Sequence, residues 1–389
     1  MSTPRFQVFL ACALAMAVFG LVLALPGAAF GVESVRAQLG LGVEGQARLL
    51  ATLFAGFLAG TLISGPLADH AGLRPVLAGA ALLVAVGLAA FTLAASAWQT
   101  SAAALMLGIG GASINTCANT LVSSLYPDRR GAMLTWLAVA CAAGGMALPL
   151  TVLLDAGGWR VTLTAATTIA ASTGIVIARL RAPHVAQAFS WRGLAEVVGA
   201  PGFAWYLAAL LCQGGNEAAL AGWITPLLTS RGLAGAEALG ALTLHWSGII
   251  AGRLCLALVV ERIGTRATVT AAAITASLGT MLLIAAPGPG VLLAAAAISG
   301  LGISGVFSVV MADAGARYRG RAGTMFAALL AAGQAGGMLI PWLVGRAAER
   351  AGLAAGLSLV AGTTLAVALF VLILSGVPIS VPSGRAAQR

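Results

Sequence analysis

Polar residues are so sparse along this chain that they read as punctuation between apolar runs. Each run is about 17 to 26 residues long, enough for an α-helix to cross ~30 Å of hydrocarbon. Twelve are predicted, over 6–30, 47–67, 76–95, 101–125, 132–154, 161–177, 204–229, 238–260, 267–286, 291–314, 324–344 and 353–374. Runs of this length lack the short alternation of barrel strands, and only helices or closed barrels satisfy their backbone inside lipid. The pattern predicts an all-α membrane protein of twelve transmembrane helices.

The polar punctuation repeats. Asp69-His-Ala-Gly72-Leu-Arg74 returns as Glu261-Arg-Ile-Gly264-Thr-Arg266, an offset of 192 at each matched position. The same offset links Gly108 and Gly110 to Gly300 and Gly302, and Ala143-Gly-Gly-Met-Ala-Leu-Pro149 to Ala335-Gly-Gly-Met-Leu-Ile-Pro341. Three separated matches in one register indicate a duplication. Both acidic loops fall on the arginine-rich side, so each repeat holds an even number of spans and the twelve divide into two parallel sets of six. The expected organisation is an N-terminal six-helix bundle over 1–180, a cytoplasmic linker over 181–202 containing His184, Arg192 and Glu196, and a C-terminal bundle over 203–389.

Composition agrees: 60% of the 389 residues are apolar and 8% charged, far from the quarter of charged residues usual in soluble domains. The net charge of +10 would suggest nucleic acid in a soluble protein, but here the charges sit at the ends of apolar runs. There is no lysine, and the 21 arginines divide 15 to six between the two sides when the N-terminus is placed inside. The positive-inside rule then predicts both termini in the cytoplasm and a multi-pass protein of the inner membrane. Arg5 and the run after it, with Leu25-Pro-Gly-Ala-Ala nearby, read as an uncleaved first helix rather than a signal peptide. Cys12, Cys117, Cys141, Cys212 and Cys255 are scattered through apolar runs, which argues against disulfides and metal sites. No Walker lysine, Ser/His/Asp set or carboxylate dyad is present, so neither a cofactor nor an enzyme is expected.

The loop Gly65-Pro-Leu-Ala-Asp69-His-Ala-Gly72-Leu-Arg74-Pro-Val-Leu77 resembles the signature between helices two and three of the major facilitator superfamily, with His70 and Leu73 at positions usually basic. Within it the chain looks most similar to the fucose:proton symporter and bacterial glucose permease group. That resemblance rests on Gly215-Asn-Glu217 with Gly222-Trp223-Ile-Thr-Pro-Leu, Asn119-Thr120 before Arg129-Arg130-Gly, Gly157-Gly-Trp159-Arg160 and Gly252-Arg253. It implies a secondary transporter working by alternating access, with a sugar-like solute driven by protons. Departures are Ala138, where many sugar-transporting members carry a histidine, and the absence of acidic residues from helix one before Glu33 and from helix four before Asp128.

Candidate chemistry follows from polar groups at membrane depth. Glu217 lies about 14 residues, or ~20 Å, into the seventh helix. A carboxylate there must be protonated, hydrogen-bonded or in contact with water, which makes it a candidate proton carrier or solute ligand, against a structural tie between helices. His245, whose side chain ordinarily titrates near neutrality, is the second proton-coupling candidate, against the favoured reading of a lone hydrogen-bonded histidine. Substrate-binding candidates are the amides Asn115 and Asn119, one turn apart with apolar counterparts Phe307 and Met311 in the other half, and Gln213, Asn216, Trp223 and Gln334. Each has a bland alternative in interhelical hydrogen bonding or, for Trp223, interfacial anchoring. Asp69, Gly72, Arg74, Arg253, Glu261 and Arg266 form the expected cytoplasmic gate, with Arg253 able to snorkel to the helix end and assigned to the gate or to a structural pairing ahead of substrate binding. The expected partners are a small-molecule solute, protons and the lipid bilayer, with the protein acting as a monomer. Efflux of amphiphilic compounds and a non-transporting membrane sensor are the alternative readings.

Overall fold

A computed structural model describes residues 3–154, 158–180, 196, 198–318 and 322–376. Its helices are α1 (Thr3–Gly31), α2 (Glu33–Gln38), α3 (Val43–Ala71), α4 (Leu73–Leu93), α5 (Ala97–Leu125), α6 (Arg130–Leu153), α7 (Gly158–Arg179), α8 (Phe203–Ser230), α9 (Gly235–Ala285), α10 (Pro289–Ile303), α11 (Val306–Arg317) and α12 (Ala322–Gly376). Ten stretches are long and apolar enough to cross a membrane. The last of them, Met325–Leu374, is two limbs that meet at Gly352. The remaining span is α8, made less apolar than the others by Gln213, Asn216 and Glu217. The protein is therefore an all-α membrane protein with twelve spans in two parallel six-helix repeats. Most of the expected linker, residues 181–195 and 197, lies outside the described residues.

Two elements differ from the sequence expectation. The first connection carries the extra short helix α2, and the tenth span breaks at Ser304 and Gly305, the latter at φ 68°. A glycine tolerates this left-handed turn where other residues are strained, so the helix restarts after it as α11.

The repeat is visible as geometry. Gly72 turns the chain between α3 and α4 at φ 89°, ψ 155°, and Gly264 turns α9 at φ 78°, ψ 165°. Gly40 and Gly232, also 192 apart, both have positive φ. Gly56 lies against the Leu105 carbonyl and Gly248 against that of Ala297, while Gly60 meets Ile109 and Gly252 meets Leu301. In every case the second contact is the first one shifted by 192. In the first helix of each half the register is 194: Gly20 packs on Cys141 and Gly214 on Gly333, and the edge-to-face pair Phe9–Tyr126 returns as Phe203–Tyr318. Glycine at these crossings lets backbones approach closely, the main route to helix association where lipid removes the hydrophobic driving force.

These contacts set a stability expectation. A methyl group at Gly110 would sit 2.8 Å from the Ala80 carbonyl oxygen, and one at Gly302 the same distance from that of Ala272. Gly110→Ala and Gly302→Ala are each expected to cost about 1 to 3 kcal/mol through overpacking. Thermal unfolding in detergent checks this, with Gly79→Ala, where the added carbon meets nothing within 4 Å, melting as the parent does.

Trp98, Trp136 and Trp205 are exposed near the starts of their helices, a position that suits an amphipathic ring at the lipid headgroups.

Candidate functional site

The halves are sealed together at one end by close glycine and side-chain contacts. At the sealed end Gly31 lies against Leu239 and Thr225, Gly27 against the Ala221 carbonyl, and Gly222 against Leu50. Pro226 has no N–H to offer the Gly222 carbonyl one turn before it. Gln46, from the opposite half, supplies the missing donor at 2.8 Å and also reaches the Pro26 carbonyl at 3.2 Å. At the loop end, where Gly72 and Gly264 turn the chain, Arg74 donates to the Leu180 carbonyl within the first half, and Tyr318 to that of Pro201 within the second. Across the halves there, the Arg130 guanidinium lies over the Phe326 ring, 6.0 Å from its centroid.

Between these ends sits an ion pair. Arg253 Nη2 lies 3.4 Å from Glu217 Oε1, joining α9 to α8, and Arg253 Nη1 donates to the Ala138 carbonyl of α6 in the other half. The guanidinium thus bridges three helices and both halves. The two side chains keep 15% and 24% of their surface exposed, so they line accessible space rather than dry core. Arg253 therefore turns inward to the carboxylate instead of snorkelling to the loop end. A charge left unpaired at this depth would be far more costly. Glu217 is hydrogen-bonded and ion-paired to Arg253 in this structure.

The other candidates divide clearly. Gln213 is buried and donates to the Ile303 carbonyl at 2.8 Å. Asn216, fully buried, donates to Thr364 Oγ1 at 3.1 Å and accepts from Thr363 Oγ1 at 2.6 Å. Trp223, also fully buried, donates its indole N–H to the Pro341 carbonyl at 3.2 Å. All three tie α8 to neighbours in its own half. His245 is buried against Ser299: the Ser299 hydroxyl donates to the Ala296 carbonyl at 2.8 Å, so its oxygen accepts from His245 Nδ1 at 3.0 Å. His245 belongs to the α9–α10 contact and is not joined to the ion pair.

Asn115 and Asn119 do form a polar stripe, but a self-paired one. Asn119 Nδ2 donates to both the Oδ1 and the backbone oxygen of Asn115 at 2.8 Å. Each amide has more hydrogen-bonding capacity than this pair uses, and both residues are half-buried. Gln334 is half-buried on α12. Asp69 is half-buried, Arg74 and Arg266 are exposed, Gly72 is buried, and the side chain of Glu261 lies outside the described residues.

Two groups escaped the sequence reading. One is Tyr206, whose hydroxyl donates to Asp313 Oδ2, with Arg317 Nε 3.7 Å from the same oxygen. The repeat could have flagged it, because Leu121 and Leu125 stand at the matching positions of the first half. The other is Gln46, a lone amide near the start of an apolar run.

A family model described as Major Facilitator Superfamily matches residues 8–341. The chain belongs to this superfamily. In fold it is similar to a crystal structure of a mutant of the nucleoside transporter NupG, with a TM-score of 0.77 at 12% identity, covering 96% of this chain and 100% of that one. A second NupG crystal structure matches with a TM-score of 0.68 at 14% identity, covering 96% and 99%. No curated protein matches the chain by sequence. Membership points to a multi-pass transporter with a small-molecule substrate rather than to an enzyme.

Proposed function

We propose that this transporter moves a small, neutral, sugar-like solute across the inner membrane by alternating access, coupled to protons, as a monomer with both termini in the cytoplasm. The observation that carries the reading is the Glu217–Arg253 pair and its tie to Ala138 across the halves. A carboxylate that gains or loses a proton there changes how strongly the guanidinium is held, and the guanidinium is bonded to the other half. Charge state and the relation of the halves are then linked in one group. The family resemblance to fucose:proton symporters and glucose permeases supports a hydroxylated solute. The fold's likeness to a nucleoside transporter keeps nucleosides, which also carry a sugar, in the probe set.

In the proposed site Asn115 and Asn119 face the solute and exchange part of their mutual bonding for its hydroxyls. The decisive experiment is counterflow of labelled monosaccharides and nucleosides in proteoliposomes, preceded by a ligand-dependent thermal-shift screen, since any binder stabilises the folded state. Saturable counterflow stimulated by an inward proton gradient is expected. Counterflow only of amphiphilic dyes would establish the efflux alternative, and binding without counterflow would establish a sensor. Asn119→Ala is expected to weaken solute affinity roughly tenfold to a hundredfold, the cost of about 1 to 3 kcal/mol for a lost bond to a desolvated group. A matched drop in thermal stability would assign the amide to structure instead.

A further inference from the structure

Two contacts across the halves share a design. The fully buried Trp246 ring of α9 lies flat against Gly145 of α6, so close that a methyl there would come within 2.6 Å of it. The Phe54 ring of α3 likewise lies against Gly337 of α12, and a methyl at Gly337 would collide with its Cδ1–Cε1 edge. Phe54 and Trp246 are 192 apart, as are Gly145 and Gly337, so the contacts are the two images of one arrangement.

Each glycine also stands four residues before a proline, Pro149 or Pro341. Proline has no N–H for the carbonyl one turn back, so each ring rests where its partner helix lacks a backbone bond and bends most easily. The indole N–H of Trp246 is buried with no partner, a cost that parting of the halves would relieve.

We propose that Trp246 on Gly145 and Phe54 on Gly337 are a paired latch: each half presses a ring onto the proline hinge of a helix in the other, and both rings must leave for the sealed end to open. Opening then removes the clamps from both hinges together, which makes the transition concerted. The proposal deepens the transporter reading and rests on it for its purpose, but not for its test.

Spin labels at exposed positions Arg48 and Ala236 report the sealed end, and labels at His70 and Arg262 report the loop end, all in otherwise intact protein. Gly145→Ala, Gly337→Ala and Trp246→Leu are each expected to raise the population with a long sealed-end distance about tenfold and to shorten the loop-end distance in the same sample. If the glycine variants fail to fold, Trp246→Leu and Phe54→Leu, which insert nothing, carry the test. Unchanged distance distributions in folded variants overturn the latch. Because no solute is present, a distance shift in protein that shows no counterflow would sink the transport reading and leave the latch standing, while normal counterflow with unmoved distances would sink the latch alone.

Discussion

Replacing Glu217 by glutamine is expected to abolish proton-driven accumulation of solute while preserving exchange between equal pools. The amide keeps the shape and most of the hydrogen-bonding capacity of the carboxyl group but cannot change charge. Arg253 then stays bonded to the Ala138 carbonyl without a switch opposite it. Under the proposed coupling, each transport cycle of the parent loads one proton on a carboxylate whose side chain is 24% exposed and therefore reachable. One unit of pH gradient is worth about 1.4 kcal/mol, or a tenfold concentration ratio for one coupled proton. The variant should bring that ratio to about one. Accumulation and exchange measured on the same vesicles separate the outcomes. Full accumulation removes Glu217 from coupling and leaves His245 as the next group to test. Loss of both activities makes it a solute ligand or a structural group.

The architecture was legible because membranes impose few solutions on a chain. Length and apolarity set the spans, and the 192-residue repeat of Gly72 and Arg74 with Gly264 and Arg266 set the two halves. The structure then extended that register to contacts no motif displays, such as Gly56 on Leu105 echoed by Gly248 on Ala297. The break at Ser304 and Gly305 was not legible, since an apolar run reads the same whether or not one glycine in it takes a positive φ.

Side-chain roles were less legible because facing direction on a helix is settled by packing. Gln213, Asn216 and Glu217 lie within five residues of one another. The first two turn into their own half to bond Ile303, Thr363 and Thr364, and only Glu217 faces the junction. The sequence leaves Arg253 open between reaching water at a helix end and a structural pairing, and no local rule names the carboxylate on the neighbouring helix that holds it. Trp246 passed unnoticed because a tryptophan in an apolar run has no polar signature, although its match to Phe54 in the repeat was available.

Arg253 should be the most demanding residue of the site, because its two nitrogens do different jobs: Nη2 faces Glu217, and Nη1 bonds the other half. Arg253→Gln removes the cation and strands a carboxylate at membrane depth, with an expected loss of stability of about 1 to 3 kcal/mol, below the figure for a fully buried pair because both side chains are partly exposed. Combining it with Glu217→Gln removes both charges, so most of that loss should return, and a double-mutant cycle of thermal stability in detergent measures the coupling. Simple additivity of the two losses would mean the pair contributes nothing, and the coupling role would fall with it. Arg253→Lys gives a sharper distinction. A lysine ammonium can stay near Glu217, but it has no planar fork with which to hold the carboxylate and the Ala138 carbonyl at once. Stability close to the parent with at least a tenfold slower exchange is the expected result. Exchange at the parental rate would show that the charge alone matters and that the bond to Ala138 has no part in moving the halves.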